Sequence, residues 1–230
     1  MARNFGGSTS TDRISFASVA VIPTRSFSIW FNANTRDTTA RRFWDWADAA
    51  DGDSVFQWSS TVIMEYQALW SSVNGAWRPD AAASTDTWHN LVITYDGTAT
   101  TNDAAFYIDG SLVASTQQGA DPSVTIDSGN RTWNVGNRGA GDRSFDGELA
   151  ELAQWNRIIT QDEITALANR FSPLFFTSGL VFYARLTGTN SPERDEISGK
   201  IGTLTGTTFA EHPAIIYPGS GANLLLMNVG

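Results

Sequence analysis

The chain contains no cysteine, which excludes both disulfides and thiolate metal centres. Lysine is nearly missing. Lys200 is the single lysine among fifteen basic residues, against 24 acidic ones. The resulting net charge of −9 works against sequence-independent nucleic-acid binding, which needs clustered cations to displace counterions. It works equally against docking on anionic membranes. No apolar run approaches the length of a membrane-spanning helix. Residues 1–7 contain no apolar segment of the secretory kind, so synthesis in a cytoplasm is expected. Charged residues are few, at 17%, and aromatic residues many, at 12%, a balance that suits a packed sheet protein rather than a disordered chain.

What is present is mostly alternation. In Ser26-Phe27-Ser28-Ile29-Trp30-Phe31, a strand would send Phe27, Ile29 and Phe31 to one face and Trp30 to the other. In the stretch from Trp88 to Gly97, Leu91, Ile93 and Tyr95 share a face, and Phe106 and Ile108 match them in the next strand. Asp109-Gly110 then makes a hairpin turn into Leu112-Val113-Ala114. Further strands are expected at 3–6, 12–17, 43–46, 55–58, 61–70, 76–78, 133–136 and 148–155. One helix is predicted near 161–171. Thr160 and Glu163 have capping-box spacing, Ile164, Leu167, Ala168 and Phe171 fall at helical intervals, and Pro173 ends the run. Strand pattern returns at 179–184, a polar loop covers 187–199, and a last extended piece covers 214–218. The fold class is therefore all-β, an antiparallel two-sheet jelly-roll sandwich with one short helix. The domain covers residues 1–218, followed by a glycine-hinged apolar tail over 219–230.

Several of these segments are similar to LamG-like, concanavalin A-like jelly-roll domains of the lectin-glucanase type. They are Trp88-His89 through Tyr95-Asp96-Gly97, Phe106-Tyr107-Ile108-Asp109-Gly110, and Gly147-Glu148-Leu149-Ala150-Glu151-Leu152-Ala153-Gln154-Trp155-Asn156-Arg157. The opening Asn4-Phe5-Gly6-Gly7 with Asp12-Arg13-Ile14 resembles the family's first hairpin, so the likeness spans roughly residues 3–170. Gln154 departs from it, standing where an apolar residue is usual. Phe171-Ser172-Pro173-Leu174, Gly179 to Tyr183 and His212 to Pro218 resemble versions in bacteriophage structural proteins.

Candidate site residues divide by chemistry. Trp44, Trp46, Trp70 and Trp77 are candidate sugar-stacking indoles, with core packing as the competing role; Trp70 and Trp77 lie nearest a loop. Asp48, Asp51 and Asp53 supply hard oxygen ligands for a candidate calcium ion, and calcium sites at the sheet rim of LamG relatives favour it. Leu224, Leu225, Leu226 and Met227 form a candidate interaction tail. Glu148 and Glu151 are the nearest approach to a glycosidase pair, but a spacing of three puts them on opposite faces of a regular strand. His89, at a strand start, is expected to bond backbone. Gly136 to Gly141 lacks a phosphate loop's order.

These features lead to a non-catalytic structural or adhesive module. The expected setting is a bacteriophage virion, as a head decoration or fibre component made in the host cytoplasm. Docking would run through termini and loops to copies of itself and other virion proteins. A host-surface glycan is a further expected partner; nucleic acid and membrane are not. The alternatives are a soluble calcium-dependent lectin and a glycan hydrolase.

Overall fold

A computed structural model describes residues 1–7, 11–35, 39–46, 53–56, 64–126, 129–188 and 192–219. Within them, the strands are β1 (Ala2–Gly6), β2 (Arg13–Val21), β3 (Thr24–Ala33), β4 (Arg42–Trp46), β5 (Asp53–Phe56), β6 (Glu65–Ala68), β7 (Gly75–Pro79), β8 (His89–Asp96) and β9 (Ala105–Ile108). Then come β10 (Ser111–Val113), β11 (Ser115–Gln117), β12 (Gly129–Val135) and β13 (Asp146–Trp155). Helix α1 (Gln161–Ala168) is followed by β14 (Leu180–Ala184), β15 (Glu193–Arg194), β16 (Ile201–Thr205) and β17 (Thr208–Ala210). They form two antiparallel sheets. One runs β10-β9-β8-β3-β13-β1-β17, with β14 also paired to β13; the other runs β11-β7-β6-β5-β4-β12-β2-β16-β15.

The alternation seen in the sequence builds the sandwich. Phe27, Ile29, Phe31, Leu91, Ile93, Tyr95 and Phe106 enter the core between the sheets, with Ile108 packed against it. Trp30 points the other way, into a separate apolar cluster with Ala2 and Ala150. Each fully buried aromatic side chain contributes on the order of 2–3 kcal/mol. Asp109 and Gly110 both have positive φ, +50° and +82°, as the tight turn between β9 and β10 requires.

Helix α1 has the expected capping box, in which Thr160 accepts from Glu163 N–H and Glu163 reaches back to the Thr160 N–H. Ile164 and Leu167 pack onto the outer face of the eight-stranded sheet, against Val92, Ala153 and Trp155. The chain after the polar loop differs from its expected form. Residues 201–205 and 208–210 are strands, because Gly202 and Thr203 pair with β2, and Ala210 and Phe209 pair with β1; β17 is a sheet edge, whereas β16 also carries β15 on its other side. The stretch 214–218 is held by one parallel bridge, Phe171 to Ile216, rather than by a strand ladder. It carries the chain back across the eight-stranded sheet as a strap, with Ile215 packed on the Trp30 cluster.

Candidate functional site

The strap and the sheet under it enclose a groove of about 510 Å³, lined by Asn32, Trp88, Glu148, Arg170, Glu211, His212, Pro213 and Ala214. Its floor is a cross-strand row. Asn32 of β3 stands directly opposite Glu148 of β13, which stands opposite Asn4 of β1, and Asn4 stands opposite Thr208 of β17. Gly147 fixes the close approach at this point. A Cβ there would lie 2.0 Å from the Asn32 carbonyl oxygen, and its φ is +135°. The neighbouring row is apolar, with half-buried Trp88 packed beside Trp30 and Ala150.

Two floor oxygens, Asn32 Oδ1 and Glu148 Oε2, are buried without a hydrogen-bond partner. Burial raises the Glu148 carboxyl above the usual carboxylate range, and the nearby charges of Asp86 and Asp146 add to this. Bonds from its own backbone N–H and from Asn32 oppose the rise without cancelling it.

Behind His212 lies Glu151, and here the strand reading needs correction. Ala150 pairs with Trp30 and Ala153 with Ser28, so Glu151 and Leu152 share one partner position in a β-bulge. Glu151 takes φ +58°, and the extra residue turns its side chain to the same outer face as Glu148. Regular alternation had placed the two on opposite faces. Glu151 is 1% exposed and its carboxylate is filled. It accepts from Tyr183 Oη at 2.5 Å and Tyr217 Oη at 2.7 Å, and His212 Nε2 lies at 3.1 Å. His212 Nδ1 lies 2.7 Å from the Pro213 carbonyl oxygen, so both ring nitrogens face acceptors. Burial, then the Glu151 charge, pushes both tyrosine hydroxyls up from their ordinary range. The cluster ties the strap to the sheet and holds one groove wall.

The other predicted site residues fall elsewhere. Trp44 and Trp46 are fully buried, and Trp46 stacks on Trp133 at 4.8 Å between ring centroids. Trp77 donates to Asp103 at 2.8 Å, and Trp70 donates to Tyr95 Oη at 3.1 Å. All four indoles are core residues, and none offers a face for a sugar to stack on.

Asp53 is likewise not a rim ligand. It is 1% exposed and forms an ion pair with Arg25 in the sandwich interior. Arg25 also donates to Tyr66 Oη at 2.9 Å. Burial alone would lower the Arg25 guanidinium, but Asp53 and Tyr66 outweigh it and raise it. Asp48, Asp51 and the tail residues Leu224, Leu225, Leu226 and Met227 lie outside the described residues. Among the described residues, no three acidic, histidine or cysteine side chains group as metal ligands.

His89 bonds side chains rather than backbone. Its Nδ1 lies 2.6 Å from Asp109 Oδ2, and its Nε2 lies 2.9 Å from Ser84 Oγ. The other Asp109 oxygen accepts from the Asn90 N–H, which anchors the strained β9–β10 turn to β8.

Sequence reasoning used Trp88 as a fold marker and passed over Asn32, Arg170 and Glu211 as site residues. The available signal was polarity at outward positions beside an aromatic residue, in Asn32 and in Glu148 after Gly147.

The model of the concanavalin A-like lectin/glucanases superfamily matches residues 7–165. No curated protein matches the sequence. A putative carbohydrate binding protein from Bacteroides ovatus superposes with a TM-score of 0.66 at 17% identity, over 94% of this chain and 61% of the other. The chain thus spans about three fifths of that protein's length. A heptameric SAP-like pentraxin from Limulus polyphemus superposes with a TM-score of 0.55 at 15% identity, over 72% of this chain and 80% of the other. At these identities the likeness establishes the fold.

Proposed function

The chain belongs to the concanavalin A-like lectin/glucanase superfamily, and from that premise we propose that it is a non-catalytic carbohydrate-binding module whose ligand lies in the groove between Trp88 and His212. The observation that carries this is the pairing of a half-buried indole with two unpartnered buried acceptors on the groove floor. A sugar ring presents an apolar face for the indole and hydroxyl donors for the acceptors. A glycosidase needs two carboxyl groups that both reach the substrate. Of the two β13 glutamates, Glu148 borders the groove together with Glu211, while Glu151 is covered by Tyr183, Tyr217 and His212. Reducing-sugar release by the wild type that is lost in Glu211→Gln would overturn the non-catalytic reading. The Bacteroides ovatus protein named for carbohydrate binding lends support at the level of the fold.

The proposed setting is an assembly, specifically a bacteriophage virion, made in the host cytoplasm and displaying the groove toward host-surface glycans. The resemblance of residues 171–174, 179–183 and 212–218 to versions found in bacteriophage structural proteins supports this setting. So does edge strand β17, which presents Phe209 at 62% exposure. Light scattering tests the assembly. A monomer that is indifferent to deletion of 219–230 would refute it. A glycan array tests the binding, comparing wild type with Trp88→Ala, with and without EDTA. The expected result is a defined set of glycans, lost in the variant. Binding abolished by EDTA would favour the calcium-dependent lectin instead.

A further inference from the structure

The groove floor is specific about what it lacks. On the floor the buried unpartnered atoms are two acceptors, Asn32 Oδ1 and Glu148 Oε2, side by side on adjacent strands, while on the wall His212 Nε2 makes no hydrogen bond although Glu151 lies 3.1 Å away. Burying an acceptor without a donor leaves its desolvation uncompensated, so a ligand gains most by bringing hydrogens to this spot. An anionic group brings none. It would also meet Glu148 and Glu211 at the groove, with Asp86 and Asp146 close enough to act on Glu148. Of the cationic residues of the lining, Arg170 follows helix α1 and His212 lies just before the strap, 3.1 Å from Glu151.

Resting on the carbohydrate-binding reading, we propose that the groove selects an amino sugar, with its ammonium donating to Glu148 Oε2 and Asn32 Oδ1 and its ring lying against Trp88. An ammonium group has three donors and no acceptor, which matches two adjacent orphan acceptors. Its charge also relieves the crowding of carboxylates around Glu148, which a neutral hydroxyl does not. The bond to Glu148 is charge-assisted and therefore of the stronger kind.

The test is calorimetric titration with three tetrasaccharides of one linkage: β-1,4-linked glucosamine, its fully N-acetylated form and β-1,4-linked glucose. The glucosamine tetramer is expected to bind at least tenfold tighter than the other two at neutral pH, and to weaken with added salt. Glu148→Gln keeps the size and shape of the side chain and should remove the preference; circular dichroism checks its fold. If the acetylated or glucose form binds as tightly, the amino-sugar inference falls while the carbohydrate-binding reading stands. The inference also falls if Glu148→Gln folds and keeps the preference. If no sugar on a broad array binds, both fall.

Discussion

Glu151→Ala is the substitution expected to damage this protein most for its size. Glu151 takes two tyrosine hydroxyl bonds and the His212 contact inside a site 1% exposed. Hydrogen bonds to a charged group contribute about 1.5–3 kcal/mol each, and the stranded hydroxyls then keep their desolvation cost. Allowing for relaxation, the loss should be about 3–5 kcal/mol, as for other broken buried charge sites. That is a large part of the ~5–15 kcal/mol that a domain has. The backbone supplies a sharper test. At φ +58° a residue with a Cβ is strained by about 1–2 kcal/mol, and glycine is not. Glu151→Gly should therefore be less destabilising than Glu151→Ala by about 1 kcal/mol, the reverse of the usual order in a strand. Urea unfolding followed by tryptophan fluorescence measures both, with the denaturant slope unchanged. An alanine variant within 1 kcal/mol of wild type, or a glycine variant less stable than alanine, would refute the reasoning.

Other substitutions probe separate parts. Asp53→Ala leaves the buried Arg25 guanidinium without its counter-ion and should cost about 3–5 kcal/mol by denaturant unfolding. Gln154 is fully buried and neither amide atom has a partner, so Gln154→Leu should gain about 1 kcal/mol, visible as a higher melting temperature. Glu148 is an acid whose folded pKa lies above its ordinary value, so its ionisation opposes folding as pH rises through the folded pKa. Glu148→Gln should thus raise the melting temperature at pH 7, and the gain should vanish below the ordinary carboxylate pKa. Thr160→Ala removes the helix cap and should cost about 1 kcal/mol, with the groove intact.

The legible part of the molecule is the part set by period two. Phe27, Ile29 and Phe31 on β3, and Leu91 and Ile93 on β8, announced their faces, and the Asp109-Gly110 turn announced its register. The site was hidden because no local pattern contains it. Glu148 meets Asn32 across 116 positions of sequence, and Glu151 meets Tyr217 across 66. The face of Glu151 depends on a bulge at a left-handed residue that is not glycine, where alternation gives the wrong side. The indoles misled for a related reason. Proximity to a loop does not reveal that Trp70 and Trp77 are buried, with ring N–H bonds to Tyr95 and Asp103. Asp53 looked like part of an acidic rim because Arg25, its counter-ion, lies 28 residues away.

The central claim is that a sugar occupies the groove between Trp88 and His212. Its most direct test is heteronuclear NMR on isotope-labelled protein titrated with the tightest glycan from the array. The Trp88 indole signal and the amides of Asn32, Glu148 and His212 should shift together and saturate, while the indoles of Trp44, Trp46 and Trp133 stay still. Shifts confined to the nine-stranded sheet or its loops, with the Trp88 signal unmoved at saturation, would contradict the account.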